Sequence, residues 1–151
     1  MSEFFHMIVN ECLNTGMATD NSEVLYALSC ATKQTEENVT PDRLIEMAGI
    51  YYPPNSKERV LASLNDLQEM AFVYSEETNG DKAYKLTDMG DSLVGFLDRF
   101  SKIIINSDNM RGTLSPDTEK TLGDMSEKEK EIQRELYRRF RKVERRFKRG
   151  I

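Results

Sequence analysis

Asn55, Ser56, Lys57 and Arg59 stand together at the start of a segment with helical spacing, and their chemistry is that of recognition. An Asn amide matches the donor and acceptor on an adenine edge, and an Arg fork matches guanine. Lys57 and the unpaired N–H groups of a helix start both suit a phosphate. Tyr51 and Tyr52 in the preceding turn are placed to pack on sugar or phosphate. The plainer alternative makes Asn55 a helix cap and the rest a solvated surface. Bond-making chemistry finds no such grouping. His6 is the only histidine and lies among apolar neighbours, the acidic residues are scattered, and there is no Gly-rich phosphate loop or Cys-x-x-Cys. No enzyme activity, metal or cofactor is expected.

Those residues need a scaffold, and the chain spells one out. Phe4, Phe5, Ile8, Val9, Cys12 and Leu13 form an apolar stripe at helical spacing that ends before Gly16. Asn21 or Ser22 is suited to cap a second helix bearing Val24, Leu25, Ala27, Leu28 and Ala31. Thr40-Pro41 marks a third, short helix that stops near Gly49. Pro53 and Pro54 force a non-helical connection, and Asn55 with Glu58 forms a capping box for a fourth helix running to about Met70. Phe72-Val73-Tyr74 and Ala83-Tyr84-Lys85-Leu86 read as two strands joined by the turn Thr78-Asn79-Gly80-Asp81. Thr87 then caps a long helix from Asp88 to about Ile105. Residues 106–125 are polar and read as a linker with one short helical turn at Pro116–Thr121, and Ser126 with Glu129 opens a final helix.

Helix, hairpin and helix in this order predict a mainly α fold with a small β-hairpin, a winged helix-turn-helix. It carries an extra N-terminal helix, a long helix after the wing, and a C-terminal amphipathic basic helix. Leu64-x-x-Leu67, Ala71-Phe72-Val73, Asp81 and Leu86-Thr87-x-x-Gly90-x-x-Leu93 resemble the MarR and PadR groups of winged-helix regulators across residues 22–100. Ala71 stands where those groups usually have Gly, and the wing lacks their usual cations. The resemblance implies a homodimer on a near-palindromic DNA site, joined by terminal helices, here residues 3–13 and 88–105. The wing, Glu76 to Lys82, is net acidic, with Lys82 and Lys85 its only support toward phosphates.

Charge divides the chain. The net −5 hides 11 Lys/Arg against 5 Glu in residues 126–151, a net of +6, and 10 Lys/Arg against 21 Asp/Glu in residues 1–125, a net of −11. In the final helix Arg138, Arg139, Arg141, Lys142, Arg145, Arg146, Lys148 and Arg149 surround the stripe Leu136, Phe140, Val143 and Phe147. Four uses fit that pattern: a seam pairing with its own copy, a helix lying on an anionic membrane, cations tracking DNA phosphates, or docking on the acidic body.

With 151 residues, the chain suits one domain plus an extension: 1–105 as winged-helix domain, 106–125 as flexible linker, 126–151 as basic helix. No basic leader and no run near the roughly 20 apolar residues of a membrane span are present, so a cytoplasmic location is expected. Cys12 and Cys30 read as reduced, buried thiols. The favoured function is a dimeric, sequence-specific, double-stranded-DNA-binding regulator of transcription. The alternative is a winged-helix protein-interaction module whose tail engages a membrane or an acidic partner.

Overall fold

A computed structural model of the chain describes residues 18–109 and 116–149. The expected N-terminal helix at residues 3–13, with His6 and Cys12, lies outside the described residues. The described chain is mainly helical with one two-stranded antiparallel hairpin. Its elements run α1 (Ala18–Thr35), α2 (Pro41–Ala48), α3 (Ser56–Glu69), β1 (Val73–Thr78), β2 (Asp81–Leu86), α4 (Asp88–Asp108), α5 (Pro116–Asp124) and α6 (Glu127–Lys148).

Local chemistry explains most boundaries. The Thr40 hydroxyl accepts from Arg43 N, Pro41 opens α2, and Gly49 closes it in the left-handed conformation. The Asn55 side chain accepts from Glu58 N to start α3. That helix ends in a Schellman turn: Ala71 N donates to Gln68 O, Phe72 N donates to Leu67 O, and Ala71 takes φ +65°. Asn79 and Gly80 both have positive φ, which suits a two-residue type I′ hairpin loop. Thr87 Oγ1 accepts from Gly90 N and donates to Ala71 O, so one hydroxyl joins the start of α4 to the end of α3.

Two expectations need correction, and one pairing lies outside them. The helix placed after Asn21 or Ser22 begins earlier, at Ala18, and both residues are buried within it. Val39 bridges Tyr84 through both backbone hydrogen bonds, so a third extended segment flanks the hairpin. A single paired residue carries no alternating pattern to announce it. Finally, residues 116–124, expected as linker with one turn, form α5, whose Leu122 joins Met125 against Phe100 and Ile104 of α4.

The main core gathers Val24, Leu25, Leu28 and Ala31 of α1 at its centre, with Leu44, Val60, Leu64, Phe72, Tyr84, Leu93 and Leu97 around them. Leu136, Phe140 and Val143 of α6 belong to the same cluster, and Phe140 stacks on Tyr26 with ring centroids 4.4 Å apart. The basic helix therefore docks on its own body. Leu136, Phe140 and Val143 of its apolar stripe are buried there, and Phe147 is partly buried against the same core. Much of the apolar surface assigned to dimer contacts in residues 88–105 is likewise used internally, by Leu93, Leu97, Phe100 and Ile104. No helix among the described residues is long and apolar enough to cross a membrane.

Candidate nucleic-acid interface

The turn between α2 and α3 sorts its two tyrosines by a half-turn of backbone. Tyr51 points outward and is 76 % exposed, whereas Tyr52 is 6 % exposed. Inside, the Tyr52 hydroxyl donates to Glu23 Oε2 at 2.8 Å, and its backbone N donates to Ser56 Oγ at 2.8 Å. Tyr52 thus cannot reach a nucleic acid, and Ser56 braces the turn. Asn55 and Lys57 are exposed, with Lys57 Nζ 3.1 Å from Asp42 Oδ2 in a pair that solvent weakens.

Arg59 also departs from its expected role. Its Nη2 pairs with the Asp20 carboxylate, its Nη1 donates to Pro53 O at 3.3 Å, and its guanidinium lies 5.0 Å over the Tyr52 ring. In this arrangement Arg59, its side chain 43 % exposed, fastens the α3 start to α1.

The carboxylate that holds Arg59 is shared. Asp20, whose side chain is 6 % exposed, accepts Arg139 Nη1 of α6 on its other oxygen at 2.7 Å. Arg139 also lies 3.5 Å from Glu23 Oε1 and 3.0 Å from Glu135 Oε1. Burial pushes the Glu23 carboxyl above its ordinary range, despite the Tyr52 hydrogen bond and the Arg139 charge. Burial, reinforced by Glu23, drives the Tyr52 hydroxyl far above a normal phenol, so it stays a donor. Burial would weaken the Arg139 cation, but hydrogen bonds to Asp20 and Glu135 outweigh it and keep the guanidinium charged. Asp20 and Glu23 are the structural residues that sequence reasoning missed. Two acids at the head of an otherwise apolar helical stripe were the available sign.

The cations of α6 divide between inward and outward roles. Arg139 is held as described. Arg141 pairs with Asp98 and lies 3.4 Å from the Tyr26 hydroxyl, so it too is structural. Arg146 Nη2 donates to Glu46 O at 3.3 Å, and its Nε would lie only 3.2 Å from a Cβ on Gly49. It covers the carboxyl end of α2, where a cation complements the helix dipole. Arg138, Lys142 and Arg145 face solvent. Arg138 has only Glu135 on its own helix, 2.7 Å away, and neither Lys142 nor Arg145 forms an ion pair with any described residue.

Arg138, Arg139 and Lys142 share with Tyr51, Tyr52 and Glu135 a surface cavity of about 340 Å³. The structure thereby brings Tyr51 beside the outward cations of α6, next to the first turn of α3. It does not bring in the wing: Lys82 is exposed opposite Glu77, and Lys85 is half-buried opposite Tyr74. Glu76, Glu77 and Asp81 are exposed around them, and Glu76 accepts from Asn38. No group of three His, Cys, Asp or Glu side chains among the described residues is arranged to hold a metal ion.

No protein-family model matches the chain, and no curated protein matches it. The likeness to MarR and PadR regulators is carried by the quoted motif residues alone.

Proposed function

We propose that the chain is a winged-helix regulator that binds duplex DNA sequence-specifically, with α3 entering the major groove and the hairpin acting as wing. The carrying observation is the exposed first turn of α3, with Asn55 and Lys57 beside the outward Tyr51 on a turn braced from beneath by Tyr52, Arg59 and Asp20. A reading helix needs its first turns presented rigidly, and this bracing supplies that. The Val39–Tyr84 bridge supports the reading, since it gives the hairpin a third extended partner between α1 and α2. Homodimerisation through residues 3–13 and 88–105, a near-palindromic site and a cytoplasmic location belong to the same proposal.

Selection of bound duplexes from a random pool tests it. The expected outcome is an enriched motif, repeated about one helical turn apart for a dimer. A pool that shows no enrichment after repeated rounds at low salt refutes sequence-specific binding.

A second reading is favoured by the acidic wing: a winged helix used as a protein-interaction module. Exposed Glu76, Glu77 and Asp81 repel phosphates and suit a basic partner. Charge reversal at Glu76 and Glu77 separates the two, since it strengthens duplex binding in the first reading and abolishes partner binding in the second.

A further inference from the structure

Arg138, Lys142 and Arg145 of α6 and its C-cap residue Arg149 recur at steps of four, three and four, which places them within about 60° of one another around the axis. The row is about 16 Å long at 1.5 Å per residue. All of these side chains are exposed, while Leu136, Phe140 and Val143 on the opposite face are buried in the core. Docking thus leaves the charged edge of an amphipathic helix facing outward. One end of that edge, at Arg138 and Lys142, lines the same cavity as Tyr51, immediately before α3.

We propose that this row is a second DNA-contact surface, tracking the phosphate backbone that flanks the segment read by α3. The inference rests on the DNA-binding reading and names where its missing positive charge comes from. The wing is net acidic and Arg59 is held by Asp20, so the surfaces that ordinarily grip phosphates contribute little. A backbone grip requires cations free of direct ion pairs, and Lys142, whose charge acts on Glu23 from beyond ion-pair distance, and Arg145 meet that condition among the described residues. Arg138 is held only by Glu135, in an exposed pair that a phosphate can displace. A lipid surface fits less well. Of the two phenylalanines that would enter the acyl boundary, Phe140 is buried and Phe147 is partly packed on the core, and continuity with Tyr51 and α3 favours the duplex.

The test compares the full chain with a variant bearing Arg138→Gln, Lys142→Gln and Arg145→Gln, using duplex selected by the wild type. Binding is followed from about 50 to about 200 mM salt. Each lost phosphate contact lowers the slope of log K against log salt by about 0.9, so the variant's slope should be shallower by about 2 to 3. Its ranking of duplex sequences should stay unchanged. A charge-conserving variant, Arg138→Lys with Lys142→Arg and Arg145→Lys, should restore the slope, which separates lost charge from lost fold. If the wild type binds but the neutralised variant keeps its slope, the row makes no phosphate contact while the α3 reading stands. A wild type that binds no duplex at all overturns both. If the substitutions abolish binding to anionic phosphatidylserine vesicles and leave the duplex slope untouched, the row belongs to a lipid surface and the inference fails.

Discussion

Gly90 lies directly under the backbone carbonyl of Phe72: a Cβ added at Gly90 would sit 2.0 Å from that oxygen. The same carbonyl accepts from Thr87 N at 3.1 Å, so the first turn of α4 is clamped to the chain leaving α3. This contact is what the Leu-Thr-x-x-Gly spacing encodes. Thr87 caps the helix and ties it to Ala71, and Gly90 lets the two backbones meet.

Gly90→Ala should therefore destabilise the protein by about 3 kcal/mol, because the obstruction is backbone and no rotamer change relieves it. Urea unfolding monitored by circular dichroism checks this. A loss within about 0.5 kcal/mol, the range of an ordinary surface substitution, would contradict the close approach.

Ala71 gives the opposite sign. It holds φ +65° at the end of α3, a conformation that crowds its Cβ. Ala71→Gly should raise stability by about 0.5–1 kcal/mol, the relieved strain exceeding the added freedom of the unfolded chain. A variant less stable than the wild type would show that the alanine methyl makes packing contacts worth more than the strain.

Asp20 joins α1, the α3 start and α6 through two arginines. Breaking a fully buried pair costs about 3–5 kcal/mol, but Arg59 and Arg139 keep some solvent, so Asp20→Asn should cost about 2 kcal/mol. Combined with Arg139→Gln, the loss should fall short of the sum of the two single losses, since both remove one interaction. Strict additivity in a double-mutant cycle would mean the pair is not coupled.

The helix starts were legible because each is written in a few adjacent residues. Thr40-Pro41, Asn55 with Glu58, Thr87 with Gly90 and Ser126 with Glu129 each fix local backbone by local hydrogen bonds. The Asn79-Gly80 turn is equally local. What stayed hidden depends on partners far along the chain. Arg59 and Arg139 look alike as surface cations until Asp20, 39 and 119 residues away, is brought to them. Tyr51 and Tyr52 are adjacent and chemically identical, and only the packing of the turn on Glu23 makes one a core residue. The fate of α6 was undecidable for a related reason: an amphipathic basic helix satisfies several partners, and only the shape of the remaining core selects one.

That docking has its own consequence. Phe140 is fully buried and stacked on Tyr26, so Phe140→Ala should cost about 4 kcal/mol. Deleting residues 126–151 should unfold the protein outright, because Leu136, Phe140 and Val143 leave the main core together. A truncated chain that melts cooperatively near the wild-type temperature would show that α6 is an appendage.

Glu23 supplies a pH dependence whose sign runs against that of its neighbours. Burial raises its folded-state pKa above the ordinary value of 4.5, so ionising it costs the folded protein more than the unfolded chain. Its contribution is therefore most favourable below pH 4.5 and is lost as pH rises through the elevated folded value. Asp108, held low by Arg134, does the reverse. So do Glu135, where hydrogen bonds and charge from Arg138 and Arg139 outweigh burial, and Glu144, where the Arg141 charge and hydrogen bonds from Lys148 and Tyr26 do so. Those three give stability that is present at neutral pH and lost on acidification, and they are common to wild type and variant. Glu23→Gln keeps an acceptor for the Tyr52 hydroxyl while removing the titrating group. Comparing the two proteins in urea at about pH 4 and about pH 8 isolates the Glu23 contribution. The variant should gain on the wild type as pH rises between these values. A difference that stays constant or moves the other way would mean that Arg139 and Tyr52 stabilise the ionised carboxylate more than burial penalises it.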